Sequence, residues 1–188
     1  MTGVEREQPD VYRPAEDSGL LAEAAIEVAH GRVLEVGTGS GWVAEQIAEE
    51  RGLRVVGSDR NPHAAAEAHA RGVEGVVADL VAPFEDDAFD TVCFNPPYLP
   101  TDPENEWDDW MERALSGGET GRAVIEPFVA DVGRVLAPDG VVLLLVSSLA
   151  GYNAVIDLIA AAGFDHEVVR EESFPFESLS VLRLWQRE

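Results

Sequence analysis

The sequence predicts an α/β chain: a seven-stranded, mostly parallel sheet with helices on both faces and an antiparallel hairpin at its C-terminal end. Three observations predict it. Short apolar strand-like runs alternate with segments of helical spacing, the pattern of a parallel sheet covered on both sides. Residues 141–146 are aliphatic throughout, as a strand buried on both faces requires. The last two strand-like segments, 165–171 and 178–186, have no helix between them and are expected to pair as a hairpin. With 188 residues and 46% apolar composition, one domain spanning 1–188 can bury a proper core.

Residues 16–30 have helical spacing, with Leu20, Leu21, Ala24 and Val28 on one side. A first strand, 32–36, runs into the glycine-rich turn Gly37-Thr38-Gly39-Ser40-Gly41 and a helix at about 42–51. The second strand, 53–58, ends at Asp59; Asn61-Pro62 then supplies an N-cap with proline at the first helical position, opening a helix to about Ala70. A third strand, 73–78, ends at Asp79, and a fourth covers 91–94. Asn95-Pro96-Pro97-Tyr98 and an acidic loop, 101–110, follow. A helix from about 120 to 136 precedes the aliphatic strand, and a helix at about 151–162 leads into the hairpin.

Thirty-six acidic residues face thirteen basic ones, all arginine, for a net charge of −23. A lysine-free, strongly acidic globular chain points to a salt-filled cytoplasm, where a hydrated carboxylate surface preserves solubility. The same charge counts against gripping a nucleic-acid backbone, which takes basic contacts. No apolar run is long enough to span a bilayer, and the first residues lack a signal-peptide pattern. The lone cysteine, Cys93, sits in an apolar strand and is expected to be a small buried hydrophobe.

Asn95-Pro96-Pro97-Tyr98 directly follows a buried strand. The Asn95 side-chain oxygen and the Pro96 carbonyl are two acceptors on one stiff turn, able to hold both hydrogens of a planar –NH2 group. The glycine turn lets a ligand approach the backbone at the positive end of a helix. Its glycines fall at 37, 39 and 41, whereas the dinucleotide fingerprint wants offsets of zero, two and five; this counts against a dehydrogenase. Asp59 is placed to take ribose hydroxyls, and Asp79, followed by Leu80, to read an adenine amino group.

Glu35-Val36-Gly37-Thr38-Gly39-Ser40-Gly41, the two strand-end aspartates and Asn95-Pro96-Pro97-Tyr98 together resemble a class I S-adenosylmethionine-dependent methyltransferase with a Rossmann-like sheet. More narrowly, the chain resembles the HemK-type protein-glutamine methyltransferases that modify translation release factors. Val11-Tyr12-Arg13-Pro14-Ala15-Glu16-Asp17-Ser18, Gly117-Gly118-Glu119-Thr120-Gly121-Arg122 and the closing strand pair carry that match. The length fits the short archaeal and eukaryotic branch, and the acidity a haloarchaeal member.

The resemblance implies S-adenosylmethionine as cofactor and the glutamine of a release factor's Gly-Gly-Gln loop as acceptor. Glu35, Gly37, Thr38, Gly39 and Gly41 would line the methionine moiety; Asp59, beside Arg60, would hold the ribose, and Asp79 with Leu80 would frame the adenine. Tyr12, Pro14 and Asp17, within an N-terminal segment and helix spanning 1–30, would cover the cofactor. Asn95 and Pro96 would hold the amide nitrogen in line with the methyl group, with Pro97 and Tyr98 packed against the substrate. No metal or general base is implied.

The acidic loop, with Trp107 and Trp110, fits a substrate lid as well as a solvated loop. The short branch works with a small zinc-binding activator, which would pair at the edge strand near Val73, Val76 and Val77, an apolar edge being one that proteins usually blunt. An adenine amino-methyltransferase and a lysine methyltransferase remain alternatives, since the same turn serves other amines; a silent scaffold is disfavoured by the intact Asn95, Asp59 and Asp79. Acting on a duplex usually takes base flipping and added domains, for which the chain has no spare length.

Overall fold

In the central strands nearly every residue is buried between two covering layers. β1 (Val33–Val36) is buried at all four positions, and β4 (Phe89–Phe94) at all but Asp90. In β5 (Leu136–Ser147), Val142, Leu144 and Val146 point into one layer, while Leu143 and Leu145 point into the other, as the two-residue period of a strand dictates. The computed structural model describes residues 10–102, 104 and 108–187.

β2 (Val55–Asp59), β3 (Glu74–Val77), β6 (Phe164–Ser173) and β7 (Ser178–Gln186) complete a seven-stranded sheet of order β3-β2-β1-β4-β5-β7-β6. β1 through β5 pair in parallel, and β7 joins β5 and β6 antiparallel. α1 (Glu16–Val28) and α2 (Trp42–Arg51) cover one face through Leu20, Leu21, Ala24, Val43 and Ile47. α3 (Pro62–Ala70) adds Ala68 to that layer. Across the sheet, α5 (Ile125–Val135) and α6 (Tyr152–Ala161) contribute Ile125, Phe128, Val132, Val155 and Ile159. This is the expected class I methyltransferase architecture.

Several boundaries differ from the sequence reading. α5 starts at Ile125 rather than near 120, because Gly118 and Gly121 take positive φ and hold residues 117–124 in turns. A short helix, α4 (Trp110–Leu115), begins at the last residue of the expected acidic loop and fills part of 111–119, where no element was expected. Its N-cap is Asp109, whose Oδ1 accepts from the Glu112 amide at 2.7 Å, so Asp-x-x-Glu was the missed signal. β5 begins directly after α5: Leu136 pairs with Phe89, four residues bulge out opposite Asp90, and pairing resumes at Val141 with Thr91.

β3 lies at one edge, as expected, but its residues differ in role. Val73 precedes the strand and is buried against the α1–α3 layer; Val77 is 58% exposed. The strand also carries a charge, Glu74, paired with Arg54 at 2.7 Å. Cys93 is fully buried, and burial pushes its thiol upward. Among the described residues, no helix is long and apolar enough to cross a membrane.

Candidate active site

The parallel strands β1, β2 and β4 all end at the same edge of the sheet, so the turns that follow them converge there. Tyr12, Pro14, Asp17, Glu35, Gly37, Thr38, Gly39, Asp59, Arg60, Asp79, Leu80, Asn95, Pro96, Pro97 and Tyr98 line one cleft of about 390 Å³. Gly41 does not. Its φ is +79°, and a Cβ there would stand 2.6 Å from the Ala68 Cα, so it lets α2 start hard against α3.

Glu35, next to last in β1, is almost wholly buried. Its Oε2 accepts from Thr38 Oγ1 at 2.6 Å and from the Ala44 amide at 3.1 Å. Burial outweighs those bonds and pushes its carboxyl up to about 8, with the nearby Asp59 adding to the rise. Asp59 receives the Gly39 amide at 3.0 Å and the Asn61 amide at 2.9 Å, tying the glycine turn to the start of α3. Burial raises it too, against those donors. Asn61 caps α3 through the His63 amide and donates to the Asp10 carbonyl at 2.6 Å.

That last bond, with the Arg13–Glu67 ion pair at 2.9 Å, lays residues 10–14 along the cleft. Tyr12 donates to Asp17 at 3.2 Å, and the Ser18 amide also donates to Asp17, at 2.6 Å. Beyond β3, Asp79 pairs with Arg60 at 3.5 Å, both well exposed, and Leu80 has a φ of +50°, a left-handed conformation rare for leucine.

Asn95 follows β4, whose last residue, Phe94, packs on the Phe128 ring at 4.6 Å. The Asn95 Oδ1 atom is buried, and no described donor reaches it. A buried acceptor left open in this way is uncommon and costs stability. Tyr98 is half-buried; burial, then Asp17 and Glu177, push its hydroxyl upward, so it stays protonated and packs rather than acting as a base.

Residues 116–122 brace this turn. The Leu99 amide donates to the Leu115 carbonyl at 3.1 Å, and the Gly117 amide to the Leu99 carbonyl at 2.8 Å. A Cβ on Gly121 would meet the Tyr98 carbonyl oxygen at 2.5 Å. Arg122 donates from one nitrogen to the Ala150 carbonyl at 2.6 Å. In the sequence this segment marks only the family resemblance, because no local pattern shows what its glycines abut. α4 likewise adds Trp110, Arg113 and Leu115 to the cleft wall, with the Arg113 guanidinium 5.0 Å from the Trp110 ring centre. Trp107 of the expected lid lies outside the described residues.

No group of side chains able to hold a metal occurs among the described residues. Arginines pair with carboxylates across the surface, as in Arg71–Glu45, Arg170–Glu27 and Arg187–Asp165, instead of gathering into a basic face.

A methyltransferase domain model matches residues 33–118. A putative protein N5-glutamine methyltransferase of Methanocaldococcus jannaschii is 35% identical over 185 residues, covering 95% of this chain and 93% of that one. The methyltransferase HEMK2 of Homo sapiens is 32% identical over 190 residues, covering 93% and 89%. Among solved structures, the E. cuniculi Mtq2–Trm112 complex, described as responsible for methylating the eRF1 translation termination factor, superposes with a TM-score of 0.79 at 28% identity. That match covers 95% of this chain and 100% of the matched chain.

Proposed function

The chain belongs to the HemK-type protein-glutamine methyltransferases, and from that membership we propose that it methylates the side-chain amide of the glutamine in a release factor's Gly-Gly-Gln loop. The observation that carries this reading is the buried, unbonded Asn95 Oδ1. A substrate –NH2 donating to it and to the Pro96 carbonyl has both hydrogens engaged, which fixes the amide plane and so the direction of the lone pair perpendicular to it. Both acceptors are fixed before substrate arrives, so they stabilise positive charge developing on nitrogen without reorganising. An amide nitrogen is a weak nucleophile, so in-line placement and exclusion of water are the main help this chain can give.

The cofactor is S-adenosylmethionine, which supplies an electrophilic methyl group on a sulfonium. The cleft suits it in size, since small-molecule sites run from about 300 to 1,000 Å³. Glu35 and the turn at 37–39 would take its methionine end, Asp59 the ribose, Leu80 with Asp79 the adenine, and Tyr12, Pro14 and Asp17 would close over it. Gly41 acts one step back, by seating α2.

Glu35 makes cofactor affinity depend on pH. Its carboxyl is held near 8, so below that value the free protein keeps it protonated. A cationic ligand favours the ionised form, so binding at neutral pH expels a proton. Affinity is therefore expected to rise with pH, by up to about tenfold per unit, and to level off above about 8. Fold stability moves the other way: the raised value contributes most below the ordinary carboxylate range and is lost as pH rises through 8. Isothermal titration in buffers of differing ionisation enthalpy measures the released proton. Glu35→Gln should abolish both the release and the pH slope; an unchanged slope would assign it to another group.

A small zinc-binding activator would add to the β3 edge, where Val77 is exposed, making the working enzyme a heterodimer; the zinc would be the partner's own. The −23 charge is read as adaptation to a salt-rich cytoplasm, where release factors work. The direct test incubates the chain, with and without activator and at high salt, with labelled S-adenosylmethionine and a release factor, tRNA or DNA. Label is expected on the release factor and absent when its loop glutamine is replaced; label on nucleic acid would overturn the reading.

A further inference from the structure

We infer that the tip of the β6–β7 hairpin, together with the 3₁₀ turn Ser148–Ala150, is the rim on which the acceptor protein docks while its glutamine enters the cleft. The inference rests on the release-factor reading. Its occupant is a polypeptide segment presenting an apolar side chain and a basic one close to the reacting glutamine.

Among the described residues, four large hydrophobics are exposed: Val77, Leu149, Val168 and Phe176. Val77 and Val168 lie on the two edge strands. Leu149 and Phe176, at 40% and 94% exposure, occupy segments that are bonded to one another. Glu177 Oε2 accepts from Ser147 Oγ at 2.7 Å, and the Ser178 amide donates to Ser148 Oγ at 3.0 Å. The Phe174 amide donates to the Glu177 carbonyl at 2.7 Å and closes the tip. Phe176 is thus presented by a tethered turn, so little ordering remains to be done when a partner meets it.

The rim is placed beside the chemistry. β5 runs parallel to β4, so Ser147 emerges at the same sheet edge as Asn95. Arg122 bonds the Ala150 carbonyl, joining the 3₁₀ turn to the segment packed on Tyr98. Glu177 in the tip and Asp17 and Glu16 at the start of α1 all act electrostatically on the Tyr98 hydroxyl, so negative charge stands near both the rim and the Asn95-Pro96-Pro97-Tyr98 turn. An apolar pair backed by negative charge complements a segment carrying an apolar and a basic residue and repels an acidic one. In sheet order β6 and β7 lie at the opposite end from β3, so a subunit adding to the β3 edge leaves the rim open.

The test compares Phe176→Ser, Leu149→Ser, the double variant and the control Val168→Ser, each with the activator where turnover needs it. Initial rates are measured over a range of release-factor concentrations and, separately, of a short glutamine peptide that fills only the cleft. The double variant is expected to raise KM for the release factor at least tenfold. Its S-adenosylmethionine affinity and peptide kinetics should stay within twofold of wild type and its melting temperature within about 3 °C, as should all values for Val168→Ser. An unmoved KM for the release factor, or an equal change with the peptide, would overturn the docking rim. So would a wild-type dimer, seen by light scattering, that the double variant dissociates. Absence of wild-type turnover on the release factor is a separate result: it removes the substrate assignment and the rim with it.

Discussion

Asn95→Ala is expected to lower kcat by roughly 10²–10³-fold or more while leaving S-adenosylmethionine affinity within a few-fold of wild type. In the proposed mechanism the substitution removes one of the two acceptors that orient the amide, and the other, the Pro96 carbonyl, would not fix the amide plane alone. Stability should move the opposite way from most core-adjacent truncations. Asn95 Oδ1 is buried with no described donor, and such a group costs about 1–3 kcal/mol in the folded state. Removing it should leave the melting temperature unchanged or higher. An inactive, undestabilised Asn95→Ala would mark the open acceptor as a feature kept for substrate at the expense of stability. Full turnover in this variant would sink the two-acceptor mechanism; a large fall in melting temperature would mean that Oδ1 serves the fold.

Gly121→Ala is expected to damage both stability and rate, although position 121 is not among the cleft-lining residues. Its φ of +73° strains any side chain, and the added methyl would stand 2.5 Å from the Tyr98 carbonyl oxygen and 3.1 Å from the Ala150 Cα. Left-handed strain and forced displacement together cost on the order of 2–4 kcal/mol. For a chain of this size that lowers the melting temperature by roughly 5–15 °C. The atom that must give way belongs to Tyr98, so the Asn95-Pro96-Pro97-Tyr98 turn shifts with it. A displacement approaching 1 Å costs on the order of 10²-fold in rate. Calorimetry and saturation kinetics on the same sample check both parts. Wild-type kcat in a destabilised Gly121→Ala would show that the turn holds its geometry without this brace.

The strands were legible because burial on both faces leaves no room for polar residues, so apolar runs marked them; β5 is the plainest case. The Asn61-Pro62 cap was legible because capping is chemistry within one turn of chain. α4 was missed although Asp109 and Glu112 signal its start, because six residues are too few for a helical period to emerge. An α5 start near 120 fails because it carries the helix across Gly121, which tertiary contacts hold in the left-handed region. Gly41 shows the same limit: it belongs to the glycine pattern, yet its reason is the approach of α3 from 27 residues along the chain.

By itself the sequence determined the layered parallel sheet, the glycine turn, Asp59, Asp79 and the Asn95-Pro96-Pro97-Tyr98 turn, and hence the kind of reaction. Each of these is set by short-range patterning or by the chemistry of adjacent residues. Only the tertiary structure decided that Asn95 Oδ1 is left open, that Glu35 is buried enough to hold its proton, and that Gly121 sets the position of Tyr98. It also decided that Phe176 stands in solvent at the active-site edge. These properties depend on which distant segments fill the space around an atom, and desolvation, steric limits and open hydrogen-bond sites arise only once the chain has closed on itself.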